Sequence, residues 1–506
     1  MNASAGLRRP LPPMFLMVVL AMANFMQVLD LSIANVSLPA ITGDLGAAPS
    51  QGAWVITSFS VANAIMVPLT GWIADRNGQV RTFVQATIVF TLASLLCGLA
   101  WSLPSLIAFR VLQGAAGGLM IPLSQALLLG FSPPDKRGMA LSLWSMTTVV
   151  APIAGPLLGG YITDNHHWSW IFLINLPVGL LASAAVWQLL KDRETPSRRQ
   201  PLDRVGLVFL VIWVGALQVM LDRGNELDWF HSTDIVALGI IVALGFALFI
   251  VWELTERHPI IDLSLFRRRN FLIGVLALSL AFCAFRATAL ILPLWLQTQV
   301  GYTATWAGYV LAPSGIVAVL LAPVAGRKLD SAPRVFASVA ISIHAFCMIW
   351  RAYFTDSADY FTFAAPQFVQ GIAMAFFFAP LVSISLGGLE PEKLAAGAGL
   401  QNFVRNLMGS FGTSAAITFW DRREALHRTQ LSEHVSSLSA PAVDYLARLD
   451  STGMTADNAY GVVDRLLTQQ SYTLATNDLY WVTSGIMLSL VALVWFSKPP
   501  FNRRHA

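Results

Sequence analysis

The sequence predicts an all-α, polytopic membrane protein of fourteen helices, and three features carry this prediction. The chain has 506 residues, of which 56% are hydrophobic and only 12% are charged, whereas soluble domains are about 25% charged. The apolar residues gather into fourteen runs, most of them close to the roughly 20 residues that a helix needs to cross a bilayer. Lysine and arginine concentrate in alternate connections between the runs, as the positive-inside rule describes.

The fourteen runs define predicted helices 1 to 14, which are separated by polar connections. They cover residues 14–38, 52–73, 81–101, 104–130, 139–161, 168–190, 205–222, 234–254, 271–297, 303–325, 334–352, 361–386, 393–419 and 478–497. An even number of helices places both termini on one side of the membrane. The short connections opposite contain or adjoin only two basic residues, Arg223 and Arg351, so both termini are predicted to be cytoplasmic.

The predicted helices divide into six, two and six. Polar linkers, KDRETPSRRQPLDR and ELTERHPIIDLSLFRRRN, flank helices 7 and 8 and indicate an insertion between two halves. We therefore expect an N-terminal six-helix bundle over residues 14–190, two inserted transmembrane helices over 205–254 and a C-terminal six-helix bundle over 271–497. Weak similarity between FRVLQGAAGGLMIP and PQFVQGIAMAFFFAP suggests repeated halves, an architecture common in secondary transporters.

Asp30 places a carboxylate deep inside helix 1. A charge at the bilayer centre costs at least about 2.5 kcal/mol on insertion scales, so it must meet a partner or water, or stay protonated for part of its working life. Arg110 and Gln113 lie one turn apart on helix 4, and the helix rise puts Asp30 and Arg110 roughly 13 and 9 Å from the same membrane surface. We expect these three residues to form a proton-coupling site. Interhelical hydrogen bonding and a snorkelling arginine are the structural alternatives.

The connection between helices 2 and 3 has the sequence GWIADRNGQVR. Glycine permits a tight turn, and an aspartate there can cap a neighbouring helix or pair with a basic residue. A cytoplasmic conformational latch is therefore predicted at Gly71, Asp75, Arg76, Gly78 and Arg81. An ordinary glycine–aspartate turn is the alternative.

Helix 5 contains the sequence APIAGPLLGG. Gly155 and Gly159 form a GxxxG pair that lets another backbone approach closely, and prolines 152 and 156 bend the helix and free carbonyl groups. On its own such a stretch is typical of helix packing. The residues of interest are Pro152, Gly155, Pro156, Gly159 and Gly160.

Several polar, sulfur-containing and aromatic residues are candidates for a substrate cavity. Charged residues in membrane helices usually face the interior, and methionine and aromatic side chains suit a pliable apolar cavity. For the charged candidates, snorkelling, helix capping, packing or a structural ion pair are the competing interpretations. The candidates are Phe25, Met26, Trp144, Asp222, Arg286, His344 and Arg405.

Together these features resemble the major facilitator superfamily, and within it the fourteen-helix drug:proton antiporters of the EmrB/QacA type. The residues that carry the resemblance are the latch sequence, Arg110 with its downstream Gln-Gly, the GPLLGG of helix 5 and LDLSIANVSLP of helix 1. Stretches such as GAWVITSFSVANAIMVPLTGWIADR and LDRGNELDWF are similar to the EmrB/FarB branch. The second half departs from the pattern: Gln367 stands where the helix 4 arginine would lie, and no role for Arg286 follows from the resemblance.

The resemblance implies a proton-driven exporter of hydrophobic or amphipathic toxic compounds, such as drugs, uncouplers or fatty acids, in a bacterial inner membrane. It also implies a periplasmic adaptor of the EmrA type and an outer-membrane channel of the TolC type as partners. Residues 421–477 form a long polar segment on the predicted periplasmic side, beyond ordinary connection lengths. Apolar stripes near Tyr445 and Leu466 predict a small helical subdomain that contacts the adaptor; a solvated lid or a disordered loop is the alternative.

Other classes of function find little support in the sequence. No Lys follows a Gly, which excludes a Walker A loop on this chain, and no HExxH or GxSxG motif occurs. The cysteines show no paired spacing, so we expect neither disulfide nor metal site; they are Cys97, Cys283 and Cys347. No cofactor is expected beyond the proton gradient, and scattered basic residues argue against nucleic acid. A proton-coupled importer of a small solute and a polytopic membrane enzyme or sensor remain as alternatives.

Overall fold

Long apolar helices make up most of the computed structural model, which describes residues 13–133, 136–197, 201–328, 332–435 and 439–499. No strand occurs within these ranges. The α-helices are α1 (Pro13–Val36), α2 (Leu38–Asp44), α3 (Pro49–Met66), α4 (Thr70–Asn77), α5 (Gln79–Gly98), α6 (Leu103–Phe131), α7 (Arg137–Asn165), α8 (Trp170–Leu173), α9 (Asn175–Leu190), α10 (Arg204–Arg223), α11 (Thr233–Thr255), α12 (Arg269–Thr298), α13 (Ala304–Lys328), α14 (Pro333–Arg351), α15 (Tyr360–Ala375), α16 (Phe378–Leu386), α17 (Leu394–Ser432), α18 (Ala440–Ser451) and α19 (Ala456–Trp495).

Each predicted run coincides with a helix or with two consecutive helices. Predicted helix 2, for example, comprises α3 and α4, which are bent by 60° at their junction. Eleven helices of the described ranges are long and apolar enough to cross a membrane, or up to twelve if the bent pair is one span. The all-helical, polytopic membrane class is therefore confirmed. The count of fourteen spans and the cytoplasmic position of the termini stay predictions.

The predicted end of helix 13 at residue 419 and the predicted start of helix 14 at residue 478 are wrong. α17 continues to Ser432, α19 already begins at Ala456, and α18 lies between them in the sequence. Hydropathy marks where a helix leaves the hydrocarbon, whereas helical hydrogen bonding continues through polar residues. Two ion pairs hold the extensions together: Arg423 Nη2 lies 2.5 Å from Asp478 Oδ2, and Arg428 Nη2 lies 2.5 Å from Asp464 Oδ1. The described residues of the long polar segment are thus mostly helical and form a hairpin, while a separate subdomain stays a prediction.

The helices of the predicted N-terminal bundle, α1 to α9, are called the first set, and those of the predicted C-terminal bundle, α12 to α19, the second set. The two sets meet along several faces. α7 contacts α13, while α17 contacts both α4 and α6. The pair α10 and α11 pack on each other, and α10 also touches α3 and α17. This pair, which the sequence predicts to be an insertion, therefore lies against helices of both predicted halves.

The glycine face of α7 packs directly on α1. A Cβ atom on Gly155 would overlap the side chain of Ser32, and one on Gly159 would lie 2.9 Å from Ile33 Cγ1. Ser32 Oγ also donates to the Pro152 carbonyl at 3.1 Å. The close approach expected of the GxxxG pair is present, and it falls two residues beyond Asp30 on α1. Gly160 differs, because a Cβ there would meet nothing within 4 Å; the side chain of Pro156 lies outside the described part.

We expect Gly155→Leu or Gly159→Leu to force α1 and α7 apart, since overpacking typically costs about 1 to 3 kcal/mol. The thermal transition of the purified protein should fall, and proteoliposomes should show either a substrate-independent proton leak or a loss of transport. Gly160→Leu on the same helix is the matched control and should behave like the wild type. Normal transport and stability in the two packed variants would reduce this stretch to ordinary helix packing.

Candidate functional site

The carboxylate of Asp30 and the guanidinium of Arg110 form an ion pair inside the protein. Arg110 Nη1 lies 2.5 Å from Asp30 Oδ2, and neither side chain is accessible to solvent. The contact between these residues that helix depth predicted is therefore present. Because a guanidinium cannot discharge and a buried unpaired charge costs several kcal/mol, each group needs the other in this environment.

Uncharged donors complete the surroundings of the carboxylate. Gln113 Nε2 and Asn175 Nδ2 each donate to Asp30 Oδ1 at 2.9 Å. Gln113 also accepts from Arg110 Nη1 through its Oε1 at 2.7 Å. Ser94 Oγ accepts from Gln113 at 2.7 Å and from Asn175 at 3.3 Å. The carboxylate is thus held by one cation and two amides.

Arg110 has further contacts with α3 and α8. Its Nε donates to the Val55 carbonyl at 3.1 Å. Its Cζ lies 4.1 Å from the centroid of the Phe59 ring and 5.6 Å from that of Phe172. Gly114 on α6 makes the approach to α3 possible, because a Cβ there would collide with the Phe59 backbone. The Gln-Gly pair downstream of Arg110 therefore has two roles, one polar and one steric.

Sequence reasoning identified Asp30, Arg110 and Gln113 but missed Asn175 and Ser94. Asn175 is a single amide in an apolar run, INLPVG, and its burial to 1% exposure is what reveals an internal partner. A polar residue in a membrane helix is a signal that could have found it. Ser94 carries no such signal, because serine also satisfies itself on its own helix, here by donating to the Phe90 carbonyl.

A central cavity of about 290 Å³ lies between the two sets of helices. Its walls come from α1, α3, α6, α7 and α10 on one side and from α12, α13, α14, α15 and α17 on the other. Apolar side chains such as Leu31 and Phe285 alternate with amides. The side-chain nitrogens of Gln27 and Gln367 have no hydrogen-bond partner within the described residues. Such a wall suits a ligand that is largely apolar with a few polar groups.

Asp30 and Arg110 do not line this cavity, although their neighbours do. Phe59 is a wall residue, and its ring also lies against the Arg110 guanidinium. Direct competition between a proton on Asp30 and a ligand in this cavity therefore does not fit the geometry. Phe59 and α1 each take part in both the ion pair and the cavity wall, and so offer routes for coupling between them.

Of the seven candidate cavity residues, Arg286 and Arg405 do line the cavity. The other five do not. Trp144 is fully buried and donates from Nε1 to Ser124 Oγ at 2.9 Å, and the His344 ring packs 6.0 Å from that of Phe377. The remaining three are placed as follows: Phe25 is half-buried, Met26 is buried, and Asp222 accepts from Gln218 Nε2 at 3.1 Å. Residue type alone did not indicate which face of each helix meets the cavity.

At the predicted cytoplasmic end the two sets of helices are in contact. A Cβ on Gly71 would lie 2.8 Å from Ala396 Cα, and Asn402 Nδ2 donates to Gln125 Oε1 at 2.7 Å. The first of these contacts joins the predicted latch to α17, and the second joins α6 to the same helix. Arg76 lies over the Trp72 ring at 5.4 Å, and Asp75 lines a vestibule of about 670 Å³.

A linker residue that the sequence did not single out fastens the latch. The Val80 and Arg81 amides donate to the Glu194 carboxylate at 3.0 and 2.8 Å, and the Gln79 amide donates to Thr195 Oγ1 at 3.0 Å. These amides belong to the first turn of α5 and have no acceptor within the helix. A negative charge at this position is also favoured by the helix dipole. Gly78 has φ +90°, a conformation that favours glycine, and a Cβ there would displace the Glu194 carboxylate from the latch amides.

The arrangement of two helical sets around an internal cavity, with an acid–arginine pair behind its wall, is that of a secondary transporter. Residues 20–413 match the sequence model of the Major Facilitator Superfamily, and the chain belongs to this family. It is accordingly a multi-pass protein of the inner membrane.

Relatives of known name support a closer grouping. Multidrug export protein EmrB of Escherichia coli K12 is 50% identical over 489 residues, covering 96% of this chain and 95% of that protein. Fatty acid resistance protein FarB of Neisseria gonorrhoeae is 48% identical over 486 residues, covering 96% of each. The structure of the human organic anion transporter MFSD10 superposes with a TM-score of 0.60 over 96% of this chain and 100% of that chain at 13% identity, which concerns the fold alone. The resemblance drawn from the motifs is confirmed.

We expect Glu194→Ala to loosen the latch, because loss of a helix cap typically costs about 1 kcal/mol. Hydrogen exchange at the amides of residues 79–81 should become about fivefold faster. Asp192→Ala removes a carboxylate from the same linker and should leave these amides unchanged. If these amides exchange in Glu194→Ala as slowly as in Asp192→Ala and the wild type, the linker does not hold α5.

Proposed function

We propose that the protein is a proton-driven antiporter that exports hydrophobic or amphipathic toxic compounds across the inner membrane. One observation carries this proposal: a titratable carboxylate is buried beside a permanent cation, one residue layer from a cavity between two helical sets. A carboxylate in this position is a functional hypothesis by default. Its protonation neutralises one member of the ion pair and so changes the forces that hold α1 to α6.

The coupling step follows from the contacts of Arg110. While Asp30 is ionised, the guanidinium is held between Asp30 and Phe59. When Asp30 takes up a proton, the attraction to Arg110 weakens, and the guanidinium and the Phe59 ring are free to rearrange. A ligand that favours one position of Phe59 thereby favours one protonation state of Asp30, since each can shift the equilibrium only through its differential affinity for the two states.

The substrate class rests on the cavity and on the relatives. EmrB is named for multidrug export and FarB for fatty acid resistance. The cavity wall carries apolar and aromatic side chains, including Phe282 and Phe285, among scattered polar groups. Drugs, uncouplers and fatty acids share the amphipathic character that such a wall would bind.

We further propose that the pump works with a periplasmic adaptor of the EmrA type and an outer-membrane channel of the TolC type. The helical hairpin of α17, α18 and α19 carries an apolar groove of about 450 Å³, and Tyr445, Leu446 and Leu466 are among its lining residues. Tyr445 and Leu466 are about two-fifths exposed, at 39% and 40%. An amphipathic helix of the adaptor is the partner that such a groove would accept.

Asp30→Asn should abolish proton-driven efflux while leaving folded protein in the membrane, because an amide cannot carry the proton. Substrate-dependent proton release from energised everted vesicles is the measurement. Asp234→Asn, which neutralises an exposed acid of α11, is the control. Substrate concentrated against a gradient with normal pH dependence in Asp30→Asn would place the coupling acid elsewhere, with Asp222 and Glu253 next to be examined. Proton uptake coupled to solute entry in whole cells would favour the importer.

Arg110→Ala should move the pH dependence of substrate binding towards higher pH. A carboxyl group that has lost its neighbouring cation keeps its proton to higher pH, so the proton-free state that favours substrate is reached later on the pH scale. Binding measured on the purified protein across a pH series gives the shift. An unchanged profile would separate Arg110 from proton coupling.

Tyr445→Glu and Leu466→Glu should weaken capture of the adaptor, because each places a charge in the apolar groove. Co-purification of the adaptor and transport by vesicles are measured together. Asp444→Ala, on the same helix but outside the groove lining, should capture the adaptor normally. Wild-type capture by both groove variants would remove the docking role and leave the antiport proposal untouched.

A further inference from the structure

Three guanidinium groups of the second set of helices face the central cavity, and we propose that they bind the ionised head of an acidic amphiphile. They belong to Arg286 of α12, Arg351 of α14 and Arg405 of α17. No aspartate or glutamate occurs among the described residues that line the cavity. The inference rests on the proposed export function and specifies the charge of the substrate and the residues that recognise it.

Arg405 is the strongest member of this cluster. It is only 2% exposed, and its Nε and Nη1 atoms have no hydrogen-bond partner among the described residues. Its Nη2 donates weakly to Asn406 Oδ1 at 3.4 Å. Its Cζ lies 5.0 Å from the centroid of the Phe282 ring, which gives some cation–π stabilisation but fills none of the free donor positions. The structural ion pair considered for Arg405 is not found within the described ranges.

The other two arginines direct more positive charge at the same space. Arg286 is exposed to the cavity, and its Cγ lies 3.6 Å from where a Cβ of Gly409 would stand, one turn along α17 from Arg405. Arg351 donates from Nη2 to Gln370 Oε1, while its Nε has no partner in the described part of the chain. Among the described residues, none of the three has a carboxylate partner of the kind that Arg110 has in Asp30.

The energetics of this cluster favour an anion as the missing partner. Guanidinium groups stay protonated, so like charges that share a low-dielectric cavity cannot relieve their repulsion by discharging. A carboxylate accepts two parallel hydrogen bonds from one guanidinium, and it would pair with a free donor of Arg405 together with the weakly bonded Nη2 while cancelling charge. A cationic head would meet the opposite field. The nearby apolar wall, which includes Phe282, Phe285 and Leu292, is suited to the hydrocarbon part.

An anionic substrate also changes the charge balance of transport. If one proton enters for each singly charged anion that leaves, two positive charges in effect move inward per cycle. The membrane potential then drives export directly, whereas exchange of a proton for a monovalent cation would be electroneutral. Each charge that crosses the full potential contributes about 2.3 kcal/mol per 100 mV.

The test uses three probes that share a twelve-carbon tail: dodecanoate, dodecyltrimethylammonium and dodecanol. Binding to the full-length protein in lipid nanodiscs is measured by equilibrium dialysis at pH 8, with empty nanodiscs subtracted. The wild type should bind dodecanoate at least about tenfold more tightly than the cation, and Arg405→Gln and Arg286→Gln should each lose about tenfold or more. Arg405→Lys should recover part of the affinity. Arg465→Gln, in the exposed hairpin, should bind dodecanoate as the wild type does.

A preference of the wild type for the cation or the alcohol, or unchanged dodecanoate affinity in both glutamine variants, would overturn the anion site. If Arg405→Gln does not yield a monodisperse protein, Arg286→Gln still decides, because its side chain is already exposed to the cavity. Proton exchange that is driven by dodecyltrimethylammonium but not by dodecanoate would refute the anion site and leave the antiport proposal standing. Dodecanoate binding that depends on Arg405, without any proton exchange in vesicles, would support the anion site and refute the antiport proposal.

Discussion

The buried pair of Asp30 and Arg110 is the constraint on which the first half of the molecule depends. Two charges in hydrocarbon are tolerable only at contact distance and with their remaining hydrogen-bonding positions filled. Helices α1, α5, α6 and α9 all contribute to that network through side chains, and α3 contributes the Val55 carbonyl. The hydrogen bonds around one carboxylate therefore connect all five helices, and a change in its charge alters the forces on each of them.

Close helix packing is what permits this geometry. Gly155 brings α7 against α1 next to Asp30, and Gly114 brings α6 against α3 beside Arg110. In a membrane, where apolar side chains gain little by leaving lipid for protein, small residues supply packing that larger ones cannot. The glycines thus serve the ion pair as well as the fold, since a wider spacing would lengthen the hydrogen bonds that compensate the buried charges.

Prediction from sequence succeeded where a charged residue stands in an otherwise apolar run. A charge in an apolar run, as at Asp30 or Arg110, cannot be accommodated without a partner, so its role in the interior follows from physics. The ends of α17 and α19 were misjudged because hydropathy reports the membrane boundary and not the helix end. Trp144 and His344 were candidates for the cavity on chemistry alone, with packing as the alternative, because the face of the helix that a side chain occupies depends on tertiary packing. Glu194 gave no signal, because its partner is a backbone terminus that becomes adjacent only after folding.

The two sets of helices differ in how their buried arginines are neutralised. In the first, the internal cation Arg110 is neutralised by Asp30, and the pair is shielded from the cavity by Phe59. In the second, three arginines face the cavity without an acidic partner among the described residues. In the proposed antiport, proton and substrate would therefore occupy separate sites, and their linkage would travel through the surface where the sets meet. Phe59 on one wall and Arg405 on the other stand on opposite sides of that cavity, so a ligand that touches both would transmit its presence to the ion pair without ever contacting Asp30.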